Sequence, residues 1–134
     1  MEEPLIKLSV GISRQTMEDI FVTAIEGGSN YWYYLSTAAV AKVRAVVPKI
    51  EEPTISVALF RAVFDHDVEV PINDYENNKI VLGILGKKMI QARLQKMIDD
   101  GYIDFILNEE EGSGDADSSD TIFQYMTMGS IVFS

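Results

Sequence analysis

Val68-Glu69-Val70-Pro71-Ile72-Asn73-Asp74-Tyr75-Glu76-Asn77-Asn78-Lys79-Ile80-Val81-Leu82-Gly83-Ile84 is the stretch that decides the fold. Val68–Ile72 and Lys79–Ile84 are short β-branched runs, and the polar connector 73–78 between them makes the pair read as a hairpin. Pro71 cannot donate to a ladder, so its strand belongs at an edge or a bulge. Past Gly86 the period changes. Met89, Ile90, Leu94, Met97 and Ile98 share one side of a helix that ends at Asp100–Gly101, with Lys87, Lys88, Arg93 and Lys96 mostly off that side. A hairpin feeding a helix predicts an α+β fold, a small antiparallel sheet with several helices packed on it.

Working outward, Leu5–Ile12 alternates from Ile6 onward as a half-buried strand does. Ser13 then offers an N-cap oxygen, and Met17, Ile20, Phe21, Ala24 and Ile25 recur at helical spacing. Gly27 is the expected left-handed residue closing that helix. Ser36 is a second cap, for a helix over 37–47 that stops at Pro48. Residues 55–64 fit a helical face or a strand, and the helix is preferred. Tyr102–Leu107 reads as a strand, residues 108–115 as a flexible acidic loop, and 118–128 as a helix capped by Asp117 or Ser118. Gly129 then leads into a terminal strand, Ile131-Val132-Phe133. The whole of 1–134 reads as one domain.

Composition removes many chemistries. The 134 residues contain no Cys and one His, His66, so thiolate nucleophiles, Cys-ligated metals and multi-histidine sites are excluded. No apolar run approaches the ~20 residues of a membrane span. Met1-Glu2-Glu3-Pro4 lacks the features of a signal peptide, so the expected setting is the cytoplasm, with no membrane partner. Asp and Glu number 21 against 11 Lys and Arg, a net charge of −10. Lys96 is the last basic residue, and nine acids follow it, from Asp99 to Asp120. That asymmetry argues against a duplex-DNA reader, which needs a basic face.

Two segments carry more polar detail than packing needs. In Glu26-Gly27-Gly28-Ser29-Asn30-Tyr31-Trp32 a glycine pair lets the backbone bend sharply, an acid and an amide flank it, and two rings follow. The functional reading is a ligand-facing turn formed by Glu26, Gly27, Gly28, Asn30, Tyr31 and Trp32. The plainer one is a helix end whose Tyr31 and Trp32 anchor the next segment in the core. In the second segment, Asp117, Asp120 and Gln124 stand at i, i+3 and i+7, on one helical face. Carboxylates so placed could hold Mg²⁺ or Ca²⁺, although the glycine and glutamate of an EF-hand loop are missing. The plainer reading is helix capping, and no cofactor is expected. Asp65-His66-Asp67 reads as a surface turn, and Gly83–Lys88 lacks the spacing of a phosphate loop.

With both segments in view, the chain resembles a family of small uncharacterised bacteriophage and prophage proteins. These share a Glu-Gly-Gly-x-Asn-Tyr-Trp turn, here Glu26 to Trp32, and an ending represented here by Asp115, Asp117, Asp120, Gln124, Gly129, Ile131, Val132 and Phe133. Ser118-Ser119, Met126-Thr127-Met128 and Ser130 depart from the family's usual residues. The resemblance implies a phage or mobile-element origin and an α+β fold, and it implies no activity.

The functional expectation is a non-enzymatic binding or assembly module, acting in the host cell, with self-association and a protein partner. The alternatives are a small-molecule or nucleotide binder built on the Glu26–Trp32 turn, and a cation-dependent hydrolase built on Asp117 and Asp120 with Glu26. The two motifs are expected to meet, through Glu26 or Asn30 reaching the 117–124 helix.

Overall fold

The structure, a computed structural model, describes residues 5, 6 and 10–134. Three polar side chains turn loops into helices. Ser13 accepts from the Thr16 N–H and opens α1 (Arg14–Thr23), and Ser36 accepts from Ala39 N–H and opens α2 (Thr37–Val46). Asp115, rather than Asp117 or Ser118, accepts from Ser118 N–H and opens α6 (Ala116–Met128). Each satisfies one amide that the first helical turn leaves without a partner. The remaining helices are α3 (Ile55–Asp65), α4 (Lys87–Asp99) and α5 (Ile103–Glu110).

The sheet has three antiparallel strands in the order β1 (Tyr33–Tyr34), β2 (Val70–Asp74), β3 (Val81–Leu85). The hairpin lies about where its sequence puts it. Pro71 falls in the central strand, yet β1 pairs only with Asn73 and Asp74, so Pro71 faces a strand on one side alone. A register irregularity follows at Ile72/Asn73, as a missing donor favours. The fold is therefore α+β.

Helix α6 is the centre of the packing. It touches α1, α4, α5 and β3, and every residue from Ser118 to Thr127 except Thr121 is buried. Phe21 meets Phe60, Phe64 and Phe123 edge-on at 5.7, 5.9 and 6.1 Å between ring centres. Beside them, Trp32 stacks flat on Phe133 at 5.5 Å. At the C-terminal end of α6, Gly129 takes the left-handed conformation (φ 77°). Arg93 donates there to the carbonyls of Met126 and Thr127 and to Ile84 of β3, and Lys96 donates to Gly129 O. The basic face of α4 thus caps a neighbouring helix at its negative end.

Five local expectations are corrected. Residues 7–9 of the proposed first strand lie outside the described residues, and residues 10–12 are not in a strand. Gly27 does not end α1 in a left-handed conformation; the helix runs on as a single π-helical turn, Ala24–Gly28. Tyr102–Leu107 is not a strand but most of α5, because a short apolar run fits either form until its surroundings choose. Helix α5 extends to Glu110, so residues 108–110 of the acidic stretch are helical. Glu109 accepts from Ser119 Oγ at 2.8 Å and Glu110 accepts from Ser13 N–H. Finally, Ile131–Phe133 pairs with no strand among the described residues; Gln124 Oε1 takes the amides of Val132 and Phe133 instead.

Candidate functional site

The π-turn is the start of the site. It brings Gly28 against α6, where a Cβ would stand 2.9 Å from the Ala116 carbonyl, so glycine is needed for this approach. A wider turn also leaves carbonyl groups with altered partners. Tyr33 Oη donates to Ile25 O at 2.6 Å and anchors the turn from outside. Burial pushes the Tyr33 hydroxyl up to about 12. Ser29, directly after the turn, donates its backbone N–H to Ala24 O and is fully buried.

Asp120 receives what the turn presents. Its Oδ1 accepts from Ser29 Oγ at 2.7 Å and from Trp32 Nε1 at 2.7 Å. Its Oδ2 accepts from Tyr31 Oη at 2.6 Å and from Gln124 Nε2 at 3.2 Å. Four neutral donors surround one buried carboxyl group, and none is a cation. Burial, with the Asp120 hydrogen bond next, pushes the Tyr31 hydroxyl up to about 12.

Gln124 extends the network to the chain's end. Its Oε1 accepts from the amides of Val132 and Phe133 at 2.8 and 2.9 Å, and its Nε2 donates to Phe133 O at 3.0 Å. A buried amide side chain therefore does for this segment what a neighbouring strand would do. The segment in turn lays Phe133 on the face of Trp32.

The two polar motifs do meet in space, but by a different route from the one expected. Glu26 and Asn30 are exposed, and neither hydrogen-bonds to α6 among the described residues. Ser29, Tyr31 and Trp32 make the junction. Trp32 is a core residue with 1% of its surface exposed, and Gly28 is a packing contact. Tyr31, Asp117, Asp120 and Gln124 line one shallow cleft of about 460 Å³, closed on another side by Ile131 and Phe133. Glu26, Gly27, Gly28, Asn30 and Trp32 do not line it. Asp117 is exposed and stands on the rim of the cleft. Among the described residues no group of three or more His, Asp or Glu side chains is arranged to hold a metal. Ser29 was not foreseen as part of the site; its signal is a small hydroxyl between the glycine pair and the rings.

No helix among the described residues is long and apolar enough to cross a membrane. Comparison with protein-family models, with curated proteins and with solved structures gives no match to this chain.

Proposed function

We propose that this chain is a non-enzymatic binding and assembly module of phage or mobile-element origin, one that acts in the host cytoplasm and associates with itself. The observation that carries the reading is the open side of β3. Among the described residues this edge strand has a sheet neighbour on one side only, and Val81 and Ile84 stand 52% and 37% exposed on it. Ile80 just before it and Met89 just after it are also exposed. Soluble domains usually cover, charge or pair such an edge. Here Arg93 takes only the Ile84 carbonyl.

The polar network supports the same reading from the other direction. Both Asp120 oxygens are engaged by protein donors, which leaves them poorly placed to act as a base or to ligate Mg²⁺ or Ca²⁺. The network reads as a clasp that holds the binding scaffold together. A small-molecule binder is the second reading, and the cleft beside Tyr31 favours it.

Light scattering behind a sizing column tests the first reading. The expected species has twice the 15.0 kDa chain mass, and Ile84→Lys returns it to a single chain. A wild-type protein that stays at one chain mass at every concentration overturns self-association. A rise in melting temperature with nucleotides, but no dimer, would favour the second reading.

A further inference from the structure

A groove of about 980 Å³ runs between α4 on one side and α1 and α3 on the other, and it shares no residue with the Tyr31 cleft. Its floor is apolar, with Met17, Phe60, Phe64, Ile90, Leu94 and Ile98 contributing. Helix α4 lines it from Lys87 to Ile98, about 16 Å at 1.5 Å per residue. That size and lining are those of a small-molecule site with a few polar groups at its mouth.

The mouth has a definite sign. Arg14 is held by Asp65 through two contacts of 2.7 Å, so that pair is already matched. Asp67 adds one negative charge to the rim, outweighed by Lys87 and Lys88. Lys87 and Lys88 are exposed, line the groove and make no ion pair among the described residues. They sit in the first turn of α4, where the helix dipole is positive, no acid is present and Gly86 caps without a side chain. Both ammonium groups are exposed at that end and open to an anion. With the Arg14–Asp65 pair matched, the two lysines and Asp67 leave the mouth with one net positive charge in a chain of net charge −10.

We propose that this groove binds a fatty carboxylate, with its alkyl chain along the floor of α1, α3 and α4 and its carboxylate at Lys87 and Lys88. The apolar floor accounts for the chain and the unpaired lysines account for the head. A neutral amphiphile would leave the lysines unmatched, and a cationic one would be repelled by them. This site is independent of the self-association proposed above.

Methyl-detected NMR of the full chain tests it, with dodecanoate as the probe, kept below its micelle concentration. The expected result is saturable shifts at Ile90, Leu94 and Ile98, with dodecyltrimethylammonium at least about tenfold weaker. The double variant Lys87→Glu/Lys88→Glu should weaken dodecanoate by at least about tenfold without lowering the melting temperature, since both side chains are exposed and acids suit a helix N-terminus. Absence of saturable shifts, equal binding of the two amphiphiles, or shifts confined to other residues overturns the proposal. So do contacts from the Leu5, Ile6 or Leu8 methyls to Leu94 in ligand-free protein, which would show the groove filled by the chain itself. A labelled acidic amphipathic peptide that gives these shifts where dodecanoate gives none would assign the groove to a protein partner.

Discussion

The indole Nε1 of Trp32 donates to Asp120 Oδ1 at 2.7 Å, joining two residues 88 positions apart in the sequence. Both are buried, Trp32 at 1% and Asp120 at 8% exposure. In water each would hydrogen-bond to solvent, so the net gain from the pair is only about 1 kcal/mol, while stranding either partner costs more. The bond therefore acts as a penalty against separation. It ties the turn after α1 to the last helix.

Asp120→Ala follows from that asymmetry. It strands Ser29 Oγ and Trp32 Nε1 in the interior, each at about 1–3 kcal/mol, so a total loss near 3–5 kcal/mol is expected. Trp32 is the one tryptophan, so its emission reports the same site, and the variant should shift it. Urea unfolding followed by fluorescence measures both. A loss below about 1 kcal/mol would mean that the carboxyl group is not the centre of the network.

Gln124→Ala tests the other half of the clasp. It removes the partners of two backbone amides and one carbonyl in residues 132–133. Hydrogen exchange at the Val132 and Phe133 amides should become fast, with a stability loss of about 1–3 kcal/mol. Unchanged protection at both amides would show that the Trp32–Phe133 stack alone holds the segment.

Local patterns were legible and long-range pairings were not. The caps at Ser13 and Ser36, the hairpin, α4 and the Gly129 turn each depend on a few neighbouring residues, so the sequence announces them. Tyr33–Tyr34 became a strand only because Asn73 and Asp74 lie alongside. Ile131–Phe133 has strand composition, yet the Val132 and Phe133 amides go to one glutamine side chain rather than to a strand. At the site, the polar excess of both motifs was visible, and so was the helical spacing of Asp120 and Gln124. Which donors face Asp120 was not, because that depends on the π-turn's extra width and on Gly28 closing against Ala116. The acidic run misled for a related reason. Glu109 is half-buried against Ser119, and burial holds its carboxyl above the usual range.

The seam between β3 and α6 makes opposite predictions for two neighbours. A Cβ on Gly83 would lie 1.9 Å from Thr127 O, a backbone atom that cannot swing aside. Gly83→Ala should therefore cost at least about 1–3 kcal/mol by forcing strand and helix apart. Thr127 Oγ1 is buried with no hydrogen-bond partner among the described residues, so Thr127→Val should gain about 1 kcal/mol by replacing a stranded hydroxyl with a methyl. Thermal unfolding of both variants checks the pair. A stabilising Gly83→Ala or a strongly destabilising Thr127→Val would contradict this packing.

Alkaline pH should unfold the protein through its tyrosines. Tyr31, Tyr33 and Tyr125 are each pushed up to about 12, in every case first by burial. Asp120 adds to the effect at Tyr31, the Glu26 charge at Tyr33 and the Asp100 hydrogen bond at Tyr125. In the unfolded chain a tyrosine ionises near pH ~10. Between those values the folded state keeps protons that the unfolded state releases, so rising pH favours unfolding. The tyrosine contribution is thus fully present below pH ~10 and is lost as pH climbs from ~10 to ~12. Tyr31, 43% exposed, should contribute least because solvent screens it. Phenolate absorbance and melting temperature, recorded together, decide the matter. Tyr33 and Tyr125 should resist ionisation until the fold is lost, and Tyr33→Phe should flatten part of the decline. Ionisation of all six tyrosines near pH ~10 with the fold intact would show that these hydroxyls are open to solvent.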